Sequence, residues 1–170
     1  PKLPRHSWRA HGLFGAGFGE RSTRLGRMGV IESITLGDGT ILLDASTVLD
    51  ADGIRDAQSD LAEWRLRGHV TAHFAGSPGG DGALEFLDAL GRRTVRLNIG
   101  TLIAVGHDAR IMHLAAEHEG SWDGESLPVA DGESAYDEFN RLRGDGVVIL
   151  VTGSHDGELS TLANRMREGA

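Results

Sequence analysis

The sequence predicts an α/β fold: a three-layer α/β/α sandwich around a central, mostly parallel sheet. Two observations carry that expectation. Apolar runs of strand length alternate with stretches of helical period along most of the chain. The run Val147 to Thr152, VVILVT, is the most continuous apolar segment, as expected of a strand buried on both faces. At 170 residues, 39% of them apolar, the chain is long enough to bury one core.

The elements follow in order. Residues 1 to 28 have two early prolines, a glycine cluster and no steady period, and are expected to be a flexible basic arm whose Trp8, Leu13, Phe14 and Phe18 dock elsewhere. Residues 29 to 170 are expected to form a single α/β domain. Val30 to Leu36 alternates, and the turn-like Gly37-Asp38-Gly39 predicts a hairpin into Ile41 to Asp44. Gly53 to Leu66 sets Ile54, Ala57, Leu61 and Trp64 at helical spacing, with Gly68 as its stop. His69 to Ala75 alternates like a strand and ends at the breaker run Gly76-Ser77-Pro78-Gly79-Gly80. Ala83 to Leu90 predicts a short helix stopped by Gly91, and Thr94 to Val105 a β-rich stretch bent at Gly100. Ala109 to His118 reads as a helix with Asp108 placed to cap it. Glu119 to Asp131 reads as a long acidic surface loop and Ser134 to Leu142 as a helix, an insert spanning about 119–142. Glu158 to Arg167 is the closing helix.

Charge divides the chain. Residues 1 to 28 carry six basic residues against one acidic, a net +5, and residues 29 to 170 carry eleven against twenty-four, a net −13. A basic tail suits phosphate, whereas an acidic body suits carboxylates gathered around a cation. No apolar stretch approaches the roughly 18 residues of a membrane span, and the N-terminus lacks the apolar core of a secretory signal, so a cytoplasmic location without membrane contact is expected. The sequence contains no cysteine, which excludes disulfides and thiolate metal sites.

Three aspartates take equivalent places: Asp44 where the first core strand ends, Asp108 at the head of a helix and Asp156 just past the strongest strand. Parallel strands joined by crossovers of one hand end on one edge, so these acids are candidates to converge. Carboxylates brought together repel unless a divalent cation neutralises them, and oxygen-only ligands select Mg²⁺ or Mn²⁺. Each also has a structural alternative as a helix or turn cap. His113 and His118 bracket Glu117, but five residues turn them apart on a helix, unlike the four-residue spacing of helical zinc pairs.

The motifs resemble those of PIN-domain ribonucleases, a family that includes the toxins of toxin-antitoxin pairs. Asp44-Ala45-Ser46-Thr47-Val48-Leu49 is similar to the end of that family's first strand. Asp108-Ala109 running through Leu114-Ala115 to Glu119-Gly120 is similar to its later helix, and Leu150-Val151-Thr152 with Asp156-Gly157-Glu158-Leu159 to its last signature. Here Gly153-Ser154-His155 lengthens the usual Thr-to-Asp interval, so that Ser154 or Asp156 takes the acid's place. The resemblance implies an endoribonuclease in which Asp44, Asp108 and Asp156, with Glu85 (in preference to Asp81) and Glu158, bind Mg²⁺ or Mn²⁺. The metal would activate water for attack on an RNA phosphodiester, with Ser46, Thr152 and Ser154 positioning the substrate. It also implies RNA as substrate and an antitoxin-like protein partner, and leaves room for a homo-oligomer.

Two other readings stand beside it. Asp44-Ala45-Ser46, His73-Phe74-Ala75-Gly76-Ser77, Gly100-Thr101 and Val151-Thr152-Gly153 resemble a von Willebrand A-like cation-dependent binding module. That family's second serine is replaced by Val48, and its last aspartate is missing. The third is a catalytically dead α/β domain whose acidic face binds a basic protein.

Overall fold

A computed structural model of the chain describes residues 22–26 and 29–169. The expected docking residues Trp8, Leu13, Phe14 and Phe18 lie outside the described residues. Among the described residues seven strands form one sheet in the order β1-β2-β3-β7-β4-β5-β6. They are β1 (Ser22–Gly26), β2 (Gly29–Thr35), β3 (Ile41–Ala45), β4 (Val70–Ala75), β5 (Thr101–Val105), β6 (Glu125–Val129) and β7 (Val147–Thr152). β3, β7, β4, β5 and β6 are parallel, and β1 and β2 extend the β3 edge antiparallel. Five helices complete three layers: α1 (Ala51–Leu66), α2 (Ala83–Arg96), α3 (Arg110–His118), α4 (Gly132–Leu142) and α5 (Glu158–Glu168). The expected α/β sandwich with a mostly parallel sheet is what the chain adopts.

The connections determine which face each helix covers. From β3 the chain steps past β7 to β4 and then outward to β5 and β6, and from β6 it returns to insert β7 between β3 and β4. Crossovers of one hand that run in opposite directions must put their helices on opposite faces. Ile54, Ala57 and Leu61 of α1, Leu87 and Leu90 of α2 and Met112 of α3 therefore join one core with Leu43, Leu102 and Leu150. Phe139 of α4 and Leu159, Leu162 and Met166 of α5 join the other with Leu42, Phe74, Ile103 and Ile149. All six residues of β7 are buried, as its unbroken apolar run requires.

Three local expectations are corrected. α2 does not stop at Gly91 but runs on to Arg96, because Gly91 faces α3 so closely that a Cβ there would lie 2.3 Å from the Met112 carbonyl oxygen. That glycine serves a helix contact, not a helix end, and the strand expected from Thr94 begins only at Thr101. The acidic run after Glu119 is not loop throughout, since its Glu125–Val129 pairs parallel with β5 as an edge strand. Pro128 fits there because an edge strand has one side that donates to no neighbour. Asp108 does not cap α3; the helix begins after Ala109 with no side-chain cap.

Candidate functional site at the carboxyl edge of the sheet

The loops that follow β4, β5 and β7, three adjacent strands, meet at one end of the sheet. The chain leaves β4 and β5 toward the α1–α3 face and β7 toward the α4–α5 face, so the loops diverge and leave a crevice. That is the place where open α/β sheets bind ligands. The crevice has two adjoining hollows. One of about 200 Å³ lies among Ser77, Gly106 to Ala109, Ser154 to Asp156 and Glu158. The other, about 630 Å³ and more open, lies under Pro78 to Glu85. Asp108 and His155 line both.

The β7 wall is built by its own short-range hydrogen bonds. The buried Ser154 hydroxyl donates to Asp156 Oδ1 at 2.6 Å and accepts from the Leu159 amide at 3.1 Å, and the Glu158 amide donates to the same Asp156 oxygen at 3.0 Å. The Ser154 hydroxyl first, and then the Glu158 amide, hold the Asp156 carboxyl below the usual carboxylate range. The His155 amide donates to the Ser77 carbonyl at 2.9 Å, which ties this wall to the β4 loop. At the loop's start a Cβ on Gly153 would come within 2.8 Å of the Val48 and Ser46 carbonyl oxygens, so only glycine fits against the β3 loop.

The carboxylates expected at one point separate into two groups. Asp108, Asp156, Glu158 and Ser154 line the smaller hollow, and Glu85 with Asp81 lines the larger. Glu158 is committed, because its Oε1 accepts the Gly132 amide at 2.6 Å. The side chains of Asp108, Asp81 and Glu85, which line the crevice, make no hydrogen bond or ion pair among the described residues. Asp44 stands apart. It lies on the strand face that α5 covers, accepts the Ser46 amide at 2.9 Å and is paired with Arg167. Arg167 also holds Glu32, directly opposite Asp44 on β2, at 2.9 Å. Ser46 turns its carbonyl to the Ser160 hydroxyl, and Thr152 turns its hydroxyl inward to His73.

Among the described residues no three histidine, aspartate or glutamate side chains are grouped to hold a metal ion. Neither Asp108 nor Thr101 is a partner of Asp44, whose carboxylate is taken by Arg167 and the Ser46 amide. Among the described residues no arginine or lysine lines either hollow. No described helix is long and apolar enough to cross a membrane.

Ser77, His107 and His155 are not among the site residues that the sequence suggests. For Ser77 the breaker run after β4 is a sequence signal, since a glycine-rich loop at the end of a buried parallel strand lies at the ligand edge.

Comparison with known proteins overturns the ribonuclease resemblance. No family model matches the chain. It is 30% identical over 148 residues to the UDP-N-acetylmuramoyl-tripeptide--D-alanyl-D-alanine ligase of Mycobacterium leprae, which takes in 76% of this chain and 28% of that protein. The ligase of the same description from Mycobacterium tuberculosis is 27% identical over 156 residues, covering 78% of this chain and 29% of the relative. A crystal structure of MurF from Acinetobacter baumannii superposes with a TM-score of 0.64 at 18% identity, over 76% of this chain and 28% of that one. The MurF ligase of Thermotoga maritima, solved in complex with ADP, gives 0.55 at 15% identity over 87% of this chain and 31% of that one. The chain therefore spans less than a third of the length of the curated relatives it matches. Its similarity is to ligases, so hydrolase, nuclease and toxin-antitoxin roles, RNA as substrate and the von Willebrand A-like reading are all set aside. The motifs behind them were short strand-end and helix-start patterns that any parallel α/β sheet repeats.

Proposed function

We propose that this chain is one domain of a ligase that joins a D-alanyl-D-alanine dipeptide to a UDP-linked muramoyl tripeptide, and that its carboxyl-edge crevice receives the dipeptide. The observation that carries this reading is the 30% identity to the M. leprae ligase across three quarters of the chain. The chemistry of the crevice supports it. The carboxylates of Asp81, Glu85 and Asp108, with no arginine or lysine among the described lining residues, suit a ligand that arrives with an ammonium group. The imidazoles of His107 and His155 at the same edge are placed to exchange a proton with that amine, which must become neutral before it can attack a carbonyl.

Forming a peptide bond from a free carboxylate in water requires that the carboxylate be activated, and the T. maritima neighbour holds ADP. The residues here do not fit a triphosphate held by this chain alone. Among the described residues the crevice has no arginine or lysine, and the only lysine in the sequence is Lys2, so the sequence has no Gly-rich phosphate loop ending in Lys. In this reading the nucleotide and its Mg²⁺ are held outside the described residues, in a longer polypeptide or a partner, and the setting is the cytoplasm, where nucleotide-linked precursors are made.

The test is titration of the isotope-labelled chain with D-alanyl-D-alanine, read by amide chemical shifts. Saturable changes confined to Ser77–Glu85, Gly106–Ala109 and Gly153–Asp156, weakened about tenfold by Asp108→Asn as expected for a lost charge-assisted contact, are the predicted result. Shifts elsewhere, or none at millimolar dipeptide, would overturn the reading.

A further inference from the structure

Below the crevice lies a fully buried polar cluster that the ligand site does not use. His73 of β4, Gln58 of α1 and Thr94 of α2 have no exposed surface, and Thr152, the last residue of β7, is 1% exposed. Thr94 Oγ1 donates to the Leu90 carbonyl at 3.0 Å and accepts from Gln58 Nε2 at 2.9 Å. The same Nε2 lies 3.4 Å from both the Leu90 carbonyl oxygen and His73 Nδ1. His73 Nε2 is 3.0 Å from Thr152 Oγ1.

Donor and acceptor chemistry gives this chain of bonds a direction. The Leu90 carbonyl only accepts, so the Gln58 amide must turn its NH₂ toward it; the flipped amide would set two oxygens against each other. With NH₂ in that place His73 Nδ1 must accept, which leaves the ring proton on Nε2 to be donated to Thr152. Burial pushes the imidazole down to about 3, so the ring is neutral at pH 7. Among the described residues Gln58 Oε1 has no hydrogen-bond partner although it is buried, a cost that a purely apolar core would not carry.

The recipient of this relay is the foot of the crevice wall. Thr152 precedes the loop Gly153–Gly157, and His73 is four residues before Ser77, whose carbonyl holds the His155 amide. The β4–β7 pair is therefore pinned by side chains at His73–Thr152 and by backbone where it opens into the crevice.

We propose that His73 is a positioning residue for the crevice: held as the Nε2–H tautomer by Gln58, it fixes the Thr152 hydroxyl and with it the Gly153–Gly157 wall. Its meaning for ligand binding rests on the crevice being the dipeptide site; its effect on the wall does not.

The experiment compares the chain with Thr152→Val, Thr152→Ser and His73→Leu. Three readouts are taken: the nitrogen-15 signature of the His73 ring, amide hydrogen exchange, and D-alanyl-D-alanine affinity. The unmodified chain should show the Nε2–H tautomer at pH 7. Thr152→Val should speed exchange at His155, Gly157 and Leu159 about tenfold relative to Phe74 and Ile103 in the core and weaken the dipeptide by a similar factor, while Thr152→Ser restores both. His73→Leu should match Thr152→Val, and the double change should add nothing. The proposal is overturned if the ring carries its proton on Nδ1, if the three wall amides change only in step with the core, or if serine fails to restore them. Should His73→Leu not fold, the two Thr152 variants decide. If the unmodified chain does not bind the dipeptide, the function proposed above fails, while the tautomer and exchange readouts still decide the role of His73.

Discussion

Two neighbouring parts of the sheet handle buried polarity in opposite ways. Where β3 ends, Asp44 is 9% exposed and ionised groups meet: Arg167 is clamped between Asp44 and Glu32. Where β4 and β7 end, the polar groups are neutral, with His73, Gln58, Thr94 and Thr152 linked in series and no charge among them. The ionic end is closed, since each carboxylate has its partner in the arginine. The neutral end leaves the carboxylates above it, Asp108 among them, free to face a ligand. An acid at the end of a strand is thus no sign of function until its partner is known.

Acid separates the two parts most strongly. The folded state holds His73 neutral down to about pH 3, whereas the unfolded chain protonates it near 6.5. Between those values the unfolded state binds one more proton, so stability is full above about pH 6.5 and falls as the pH is lowered, by about 1.4 kcal/mol per pH unit. Denaturant melts at pH 6.5 and 4.5 should therefore differ by roughly 2 kcal/mol from this group. His73→Leu should flatten that window whatever its own cost. An unchanged slope in the variant would mean that the buried ring titrates normally.

The next effect belongs to the ionic end. Arg167→Ala leaves two carboxylates facing each other across β2 and β3 with no counter-charge. A fully buried pair broken this way costs several kcal/mol; with Arg167 about a third exposed, roughly 2 kcal/mol is expected at pH 7. Dipeptide-induced shifts at the crevice should be unaffected. A loss of ligand response in Arg167→Ala at a temperature where it is folded would show that the two regions are not separate.

The layers and most of the strands were legible because the signals are local: an apolar run, a period, a breaker. Val147 to Thr152 needed nothing but its own residues to be read as the central strand. β6 was missed because its sequence, ESLPV, is not a strand by composition; it exists because β5 offers an edge to pair with. Gly91 was misread for the same reason, its cause being a helix contact and not the local chain. The crevice edge was legible in outline, since the sequence sets Asp108 and Asp156 beside the strand ends that line it; Glu85, named only through the resemblance, lines the adjoining hollow. The fate of Asp44 was not. No pattern near residue 44 announces an arginine 123 positions later, and the side of the strand on which a carboxylate emerges depends on which helix lies there.

The smallest expected effect tests the boundary between the two ends. Asp156 follows β7 as Asp44 ends β3, but its oxygen is held by the Ser154 hydroxyl and the Glu158 amide and not by an arginine. An amide at this position keeps an oxygen that accepts both bonds but gives up the charge, so Asp156→Asn should cost about 1 kcal/mol, the difference between a charged and a neutral acceptor. The carboxyl titrates below its ordinary value because those two donors prefer the anion, so its contribution is present above the unfolded value and disappears as the pH falls through the folded one. The stability gap between Asp156→Asn and the unmodified chain should then be constant from pH 5 to 8 and close only below about pH 4, whereas the effect of His73 sets in from about pH 6.5 downward. A gap that changes between pH 5 and 6.5 would mean that the wall loop and the buried imidazole titrate as one unit, and the ionic and neutral ends of the sheet would no longer be the right division of this molecule.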